Sequence, residues 1–225
     1  MVFSSLIFLF VFLTANLIVY FAVSPQQRNK VLLIFSLIFY AWGGPRYLLL
    51  LAGETMVSWI FALKISEARA GYTKRSEKFY LVCDIVIMLL CLSIFKYLGF
   101  FVGNINAIFG VPKVVPNITL PIGISFYTFQ LISYVVDVYR NDVRPQKEYW
   151  KLLLYSSLFH QCVAGPIVRY ETVADEIDHR KITGNDIYMG VRRFSVGLAK
   201  KAILANSCAN IADTLLPAGV SALKQ

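Results

Sequence analysis

Gln130, Ser133 and Asp137 sit inside the apolar run LPIGISFYTFQLISYVVDVYR (120–140). Offsets of three and seven residues place an amide, a hydroxyl and a carboxylate on one helical face. Such a face can line a tunnel and contact a polar substrate, or it can join helices by hydrogen bonds. The spacing leaves both open. Asp137 also stands three residues before Arg140, close enough for a local ion pair. Pro121 and Gly123 loosen the start of this helix, where it would line a cavity. Further along, HQCVAGPIVRYE (160–171) carries His160, Gln161 and Arg169. An imidazole can take a proton near neutral pH, and a guanidinium matches an anionic phosphate. The apolar flanks of His160 disfavour its charged form, so a packed or tunnel-lining ring is the simpler reading. His179, between Asp178 and Arg180, reads as solvated.

These polar residues need a setting, and the composition supplies it. Hydrophobic residues make up 57% of the 225 positions, charged residues 16%, and mean hydropathy is +0.61. A soluble domain carries about 25% charged residues. The first 63 residues contain only Arg28, Lys30, Arg46 and Glu54 as charges. The stretch 2–23 is long enough to cross a bilayer. It has no basic region before it and no small-residue cleavage pattern after it, so it does not read as a signal peptide. A polar group in hydrocarbon costs several kcal/mol unless it faces protein or water, which gives the face of Gln130 and Asp137 its weight.

The fold class expected is all-α, a polytopic transmembrane protein with five to six membrane segments plus interfacial helices. Spans fall near 2–23, 31–42, 47–63, 79–102 and 118–139. The second ends at the breaker cluster Gly43-Gly44-Pro45. Lys96 beside Tyr97 snorkels toward an interface. The stretch 152–168 reads as a short span or a re-entrant element. Thr183 and Asp186 take capping-box positions before an amphipathic helix at 184–208. Its apolar residues Ile187, Val191, Phe194, Leu198 and Ala202 form a stripe, with Arg192, Arg193, Lys200 and Lys201 largely off it. That helix either lies at a lipid interface or packs on its own protein.

The net charge of +9 follows the loops rather than a nucleic-acid surface, and no nucleic-acid partner is expected. Bases cluster after the first, third and fifth spans, and the intervening connections are nearly uncharged. The alternation puts those basic loops in the cytoplasm and the amino terminus outside. Cys83, Cys91, Cys162 and Cys208 show no paired spacing, so neither a disulfide framework nor a metal site is expected. The sequon Asn117-Ile118-Thr119 abuts a span and carries little weight.

Three ordered segments, LPIGISFYTFQLISYVVDVYR, HQCVAGPIVRYE and GVRRFSVGLAKKAILAN, closely resemble the membrane-bound O-acyltransferases. FSSLIFLFVFL, FYAWGGPRYLLLL and FKYLGFF resemble the same group, in its bacterial alginate O-acetyltransferase branch. The resemblance covers most of the chain, 1–225, as the amino-terminal part of one membrane domain. It implies transfer of an acyl group, acetyl by this branch, from a cytoplasmic thioester to hydroxyls of an envelope polysaccharide such as alginate or a cell-wall polymer. The donor would be acetyl-CoA or an acyl carrier protein, as co-substrate rather than bound cofactor. It also implies a bacterial cytoplasmic membrane location, lipid contacts, and periplasmic or extracellular acetylation partners. The family's histidine base lies in its second half beside tryptophan and glycine, and no Trp-His-Gly occurs here. The chain therefore reads as the amino-terminal half of such an enzyme, inactive alone, with His160 the one substitute candidate for the base. Gln130, Ser133, Asp137, Gln161 and Arg169 are the candidate tunnel or substrate residues. Arg169 would admit the anionic donor or anchor the chain at the membrane edge.

Two other functions fit the same composition. One is a non-catalytic membrane partner of a polysaccharide acetylation or export complex. The other is a small transporter using Gln130, Asp137 and Lys96 within the membrane. The loop charges make a direct prediction. Reporter fusions at Arg69 and Arg144 should read cytoplasmic and one at Ile108 external; an external signal at Arg69 would reverse the orientation.

Overall fold

The computed structural model describes residues 5–110, 120–161 and 166–215. Cys162, Gly165, the sequon at 117–119, and Pro217 and Gly219 lie outside them. Among the described residues the chain is helical throughout, with no strand. It divides into two units, Asn16–His179 and a second made of Met1–Ala15 with Arg180–Gln225.

The larger unit holds the packed core. A short apolar helix covers Ile7–Ala22, π-helical over Ile7–Leu13 and α-helical over Thr14–Ala22 (α1), and only its part from Asn16 onward belongs to this unit. Helix α2 spans Arg28–Trp42. It starts at the bases expected to lie in a loop: Arg28 stacks its guanidinium over Tyr20, 5.2 Å from the ring centre, which fixes it at the helix start. Helix α3 is Pro45–Arg69 and α4 is Glu77–Phe109, both running beyond the apolar stretches that mark them in sequence. At 1.5 Å per residue they reach about 37 and 50 Å, more than the roughly 30 Å hydrocarbon core. These two are long and apolar enough to cross a membrane. Helix α5, Ile124–Arg140, is followed by α6, Tyr149–Ser157, and α7, Tyr170–His179. Helix α6 occupies only the first part of the 152–168 stretch, and a turn at Leu158–Gln161 follows it.

Burial runs inside out compared with a soluble bundle. Helix α4 buries Asp84, Met88 and Leu92, a narrow i, i+4, i+8 seam, and exposes Val82, Val86, Leu90, Ile94 and Phe101. Helix α3 buries Leu51, Glu54, Thr55, Ser58, Ala62 and Ile65. Polar and small residues inward with branched apolar residues outward is the pattern of helices whose solvent is lipid.

Helix α3 packs on α2, α4, α5 and α6, and so lies at the centre of the bundle. The breaker cluster lets α2 and α3 turn close to the start of α5. A Cβ at Gly43 would come 2.7 Å from Ile122 Cδ1. Gly123 precedes α5 at φ 74°, a left-handed conformation that glycine adopts without steric cost. Helix α5 thus starts at a fixed point, which sets the angular position of every side chain below it.

The second unit carries α8, Gly184–Ala199, a π-helical turn at Lys200–Ala205, and α9, Asn206–Leu215. The capping box expected from sequence is formed. Thr183 Oγ1 accepts from Asp186 N at 3.3 Å, and Thr183 N donates to Asp186 Oδ2 at 2.9 Å. The Thr183 hydroxyl also donates to Asp186 Oδ2 at 2.7 Å, and this bond with that from Thr183 N holds the Asp186 carboxyl below its ordinary range. A depressed carboxylate contributes stability above its unfolded value, about 4, and loses that contribution as pH falls through the folded value. The protection of the Asp186 and Ile187 amides, relative to their intrinsic exchange at each pH, should therefore fall in acid below that range, and Asp186→Asn should flatten the dependence.

Candidate functional site

The apolar bundle contains a buried polar seam centred on α3. Glu54, Thr55 and Ser58 occupy i, i+1 and i+4, and each faces a different helix. Glu54 Oε2 accepts from Thr128 Oγ1 on α5 at 3.0 Å. Ser58 Oγ donates to Asp84 Oδ1 on α4 at 2.9 Å. The Thr55 and Ser156 hydroxyls lie 2.9 Å apart, joining α3 to α6. All six residues are buried. An interhelical hydrogen bond in a membrane is worth only about 0.6 kcal/mol on average, so the seam's main effect is to fix which helix faces which. Beyond these bonds, Asp84 Oδ2 and Gln130 Oε1 are buried acceptors with no hydrogen-bond partner among the described residues. Buried acceptors of this kind are uncommon and mark places where a donor group would be received.

A second cluster surrounds the carboxyl-terminal end of α5. Asp137 is 2% exposed, and Arg169, from the loop before α7, grips it with two nitrogens. Arg169 Nε lies 3.2 Å from Asp137 Oδ2, and Nη2 bonds Oδ1. Asp137 is also what raises the Arg169 guanidinium above its ordinary value. Asp142 and Glu171 each approach the same guanidinium to 3.8 Å. The flanking backbone is fastened just as firmly. Tyr155 Oη donates to the Val168 carbonyl at 2.7 Å, and Gln146 Nε2 lies 2.9 Å from Tyr170 Oη. The Tyr170 ring meets Tyr134 and Tyr155 edge-on at 5.0 and 5.2 Å. Burial raises the Tyr170 phenol, so it stays protonated as a hydrogen-bonding group.

Arg69 does similar work at the same end of α5. Its guanidinium donates to the Val138 carbonyl at 3.2 Å, to Asn141 Oδ1 at 2.8 Å and to Glu77 Oε2 at 2.7 Å. A base placed on the last carbonyls of a helix satisfies groups the helix leaves open and opposes its dipole.

The sequence-selected residues separate into groups. Gln130 and Asp137 are buried together on the inner face of α5. Ser133 is half-buried and donates back to the Gln130 carbonyl at 2.8 Å. Asp137 takes Arg169, not Arg140, which is exposed at the helix end. Gln161 is half-buried, with Oε1 unpartnered. His160 is exposed, its ring edge-on to Phe159 at 5.3 Å. Spacing alone did not single out Glu54, Thr55, Ser58 and Asp84 as a seam. The signal available was an acid on each of two apolar runs, with small hydroxyl residues on the same helical face as Glu54. No group of three or more His, Cys, Asp or Glu side chains able to hold a metal occurs among the described residues.

The fold and its polar seam define a helical protein with membrane-type burial and a fastened polar end on α5. Known proteins make the class more specific. The chain is 40% identical over 217 residues to the probable alginate O-acetylase AlgI of Pseudomonas aeruginosa, a match covering 95% of this chain and 41% of that protein. It is likewise 40% identical to the probable alginate O-acetylase AlgI of Azotobacter vinelandii, over 95% of this chain and 43% of that one. A peptidoglycan O-acetyltransferase of Helicobacter pylori is 28% identical over 245 residues, covering 95% of this chain and 46% of its own. The chain thus spans less than half the length of the curated relatives it matches. These matches bear out the membrane-bound O-acyltransferase resemblance in its alginate O-acetylase branch. No family model and no solved structure matches the chain.

The seam predicts a particular non-additivity. Ser58→Ala removes the donor and leaves a buried Asp84 oxygen unsatisfied, a loss of about 1–3 kcal/mol. Ser58→Ala with Asp84→Leu removes both partners and should recover most of that loss. Thermal unfolding of the four chains in detergent measures the cycle.

Proposed function

We propose that this chain forms the amino-terminal part of a bacterial membrane O-acetyltransferase that acetylates hydroxyls of an envelope polysaccharide. The observation that carries this reading is similarity along 95% of the chain to proteins named as O-acetylases of alginate, with a peptidoglycan O-acetyltransferase also matched. The acetyl group comes from a cytoplasmic thioester, acetyl-CoA or an acyl carrier protein. The acceptor is alginate or a related polymer, presented with the help of periplasmic or extracellular partners. In this reading the chain crosses the cytoplasmic membrane five to six times, with its amino terminus outside. The helices shorter than α3 and α4 cross as members of the bundle.

The residues divide the work accordingly. Gln130 and Gln161 offer buried acceptor oxygens to a substrate hydroxyl or an ordering water. Arg169 is a positioning residue. Its charge is already met by Asp137, with Asp142 and Glu171 beside it, so a phosphate-bearing donor gains little there. What Arg169 does is hold the Val168–Tyr170 backbone against α5. The catalytic base is supplied by a histidine outside this chain, in keeping with the exposed position of His160.

The test is a membrane assay with an acetyl thioester and polysaccharide acceptor. It compares the 225-residue chain, the chain completed to the length of its relatives, and empty membranes. The completed chain should transfer acetyl groups, and the 225-residue chain should not exceed empty membranes. In the completed chain His160→Gln should retain substantial activity. A thousandfold loss, about 4 kcal/mol of transition-state stabilisation, would instead make His160 the base.

A further inference from the structure

Helix α8 presents two contrasting faces. Ile187, Val191 and Phe194 are 43%, 59% and 47% exposed, and they share a stripe with the half-buried Leu198. Met189, Arg192, Arg193, Val196, Gly197 and Lys200 line an open groove on the other side. Arg192 follows Val191 by one residue and Lys201 precedes Ala202 by one. A step of about 100° per residue within α8 places Arg192 between the stripe and the groove, and Lys201 follows on the π-helical turn. Between Ile187 and Ala212 there are four bases and no acid. Among the described residues none of the four makes an ion pair. No residue of α8 is buried.

A helix lying in a membrane surface exposes an apolar stripe to acyl chains and a single sign of charge to lipid headgroups. We propose that α8 and the π-helical turn after it bind the headgroup layer of an anionic leaflet. The apolar stripe sinks between acyl chains, and Arg192 beside it, with Lys201 on the turn that follows, contacts lipid phosphates. Arg193 and Lys200 face away from the bilayer and add to the long-range attraction. This rests on the membrane location proposed above. It adds a lipid selectivity that the transferase reading does not require.

The full chain is reconstituted in nanodiscs of phosphatidylcholine containing a minority of phosphatidylglycerol. A benzophenone side chain is placed at Phe194 or, separately, at Val196 on the opposite face. Irradiation should give lipid-mass adducts at Phe194 and few at Val196. Phosphatidylglycerol should be enriched over its bilayer fraction by about threefold or more, since each base near an anionic surface contributes about a fivefold preference at best. The variant Arg192→Gln/Arg193→Gln/Lys200→Gln/Lys201→Gln, with unchanged helicity, should keep the adducts and lose the enrichment. Cross-links from Phe194 to polypeptide, equal adducts on both faces, or unbiased lipid capture by the parent chain would each overturn the proposal. Integral insertion of the nanodisc-bound chain, read by carbonate extraction, tests the underlying membrane location separately.

Discussion

The structure depends on one requirement, that a polar side chain on an apolar helix find its partner on another helix. Helix α3 meets it three times within five residues, with Thr128, Ser156 and Asp84 on three neighbours. Apolar faces slide and rotate against each other at little cost, especially where lipid competes equally for them. Hydrogen-bond pairs do not, because each is satisfied at one rotation and one depth. The seam therefore sets the order of helices around α3, although each bond adds little energy of its own. The ring of exposed Val, Leu, Ile and Phe on α4 follows from the same requirement, seen from outside.

Much of this was legible in the sequence, for identifiable reasons. The run 120–140 carries its polar residues at helical spacing, and Gln130 and Asp137 are indeed buried on one face. The Thr183–Asp186 box is a local motif, and local motifs survive folding. Partners far apart in the chain were not legible. Asp137 has Arg140 within a turn, yet it binds Arg169, 32 positions away. Sequence offsets describe a single helix and are silent about what lies across from it. The helices run past the apolar stretches for a related reason. Arg28 and Arg69 are charged, so they suggest loops, yet each sits within a helix, where an aromatic ring, a carbonyl or a partner charge holds it.

Two arginines fasten the same end of α5 in different ways. Arg169 uses a buried carboxylate and brings the chain before α7 onto the bundle. Arg69 uses two backbone carbonyls with the Asn141 and Glu77 side chains, and brings together the end of α3, the end of α5 and the start of α4. A bidentate grip resists rotation as well as separation, which suits a segment that must present neighbouring polar atoms at fixed positions. Tyr134, Tyr155 and Tyr170 supply the apolar backing, each with its hydroxyl spent on a neighbouring group.

The Arg69–Glu77 pair closes the neck of the connection between the two longest helices. The seven residues between them, 70–76, thus hang from a closed ring, with Tyr72 83% exposed at its tip. The packing of α3 on α4 is decided below that ring and places little demand on what lies beyond it. Lengthening such a loop costs only a logarithmic closure entropy, about 0.6 kcal/mol for each doubling. Homologous chains are then free to vary the length and charge of this hairpin, and a foreign peptide inserted there would leave the bundle beneath it undisturbed.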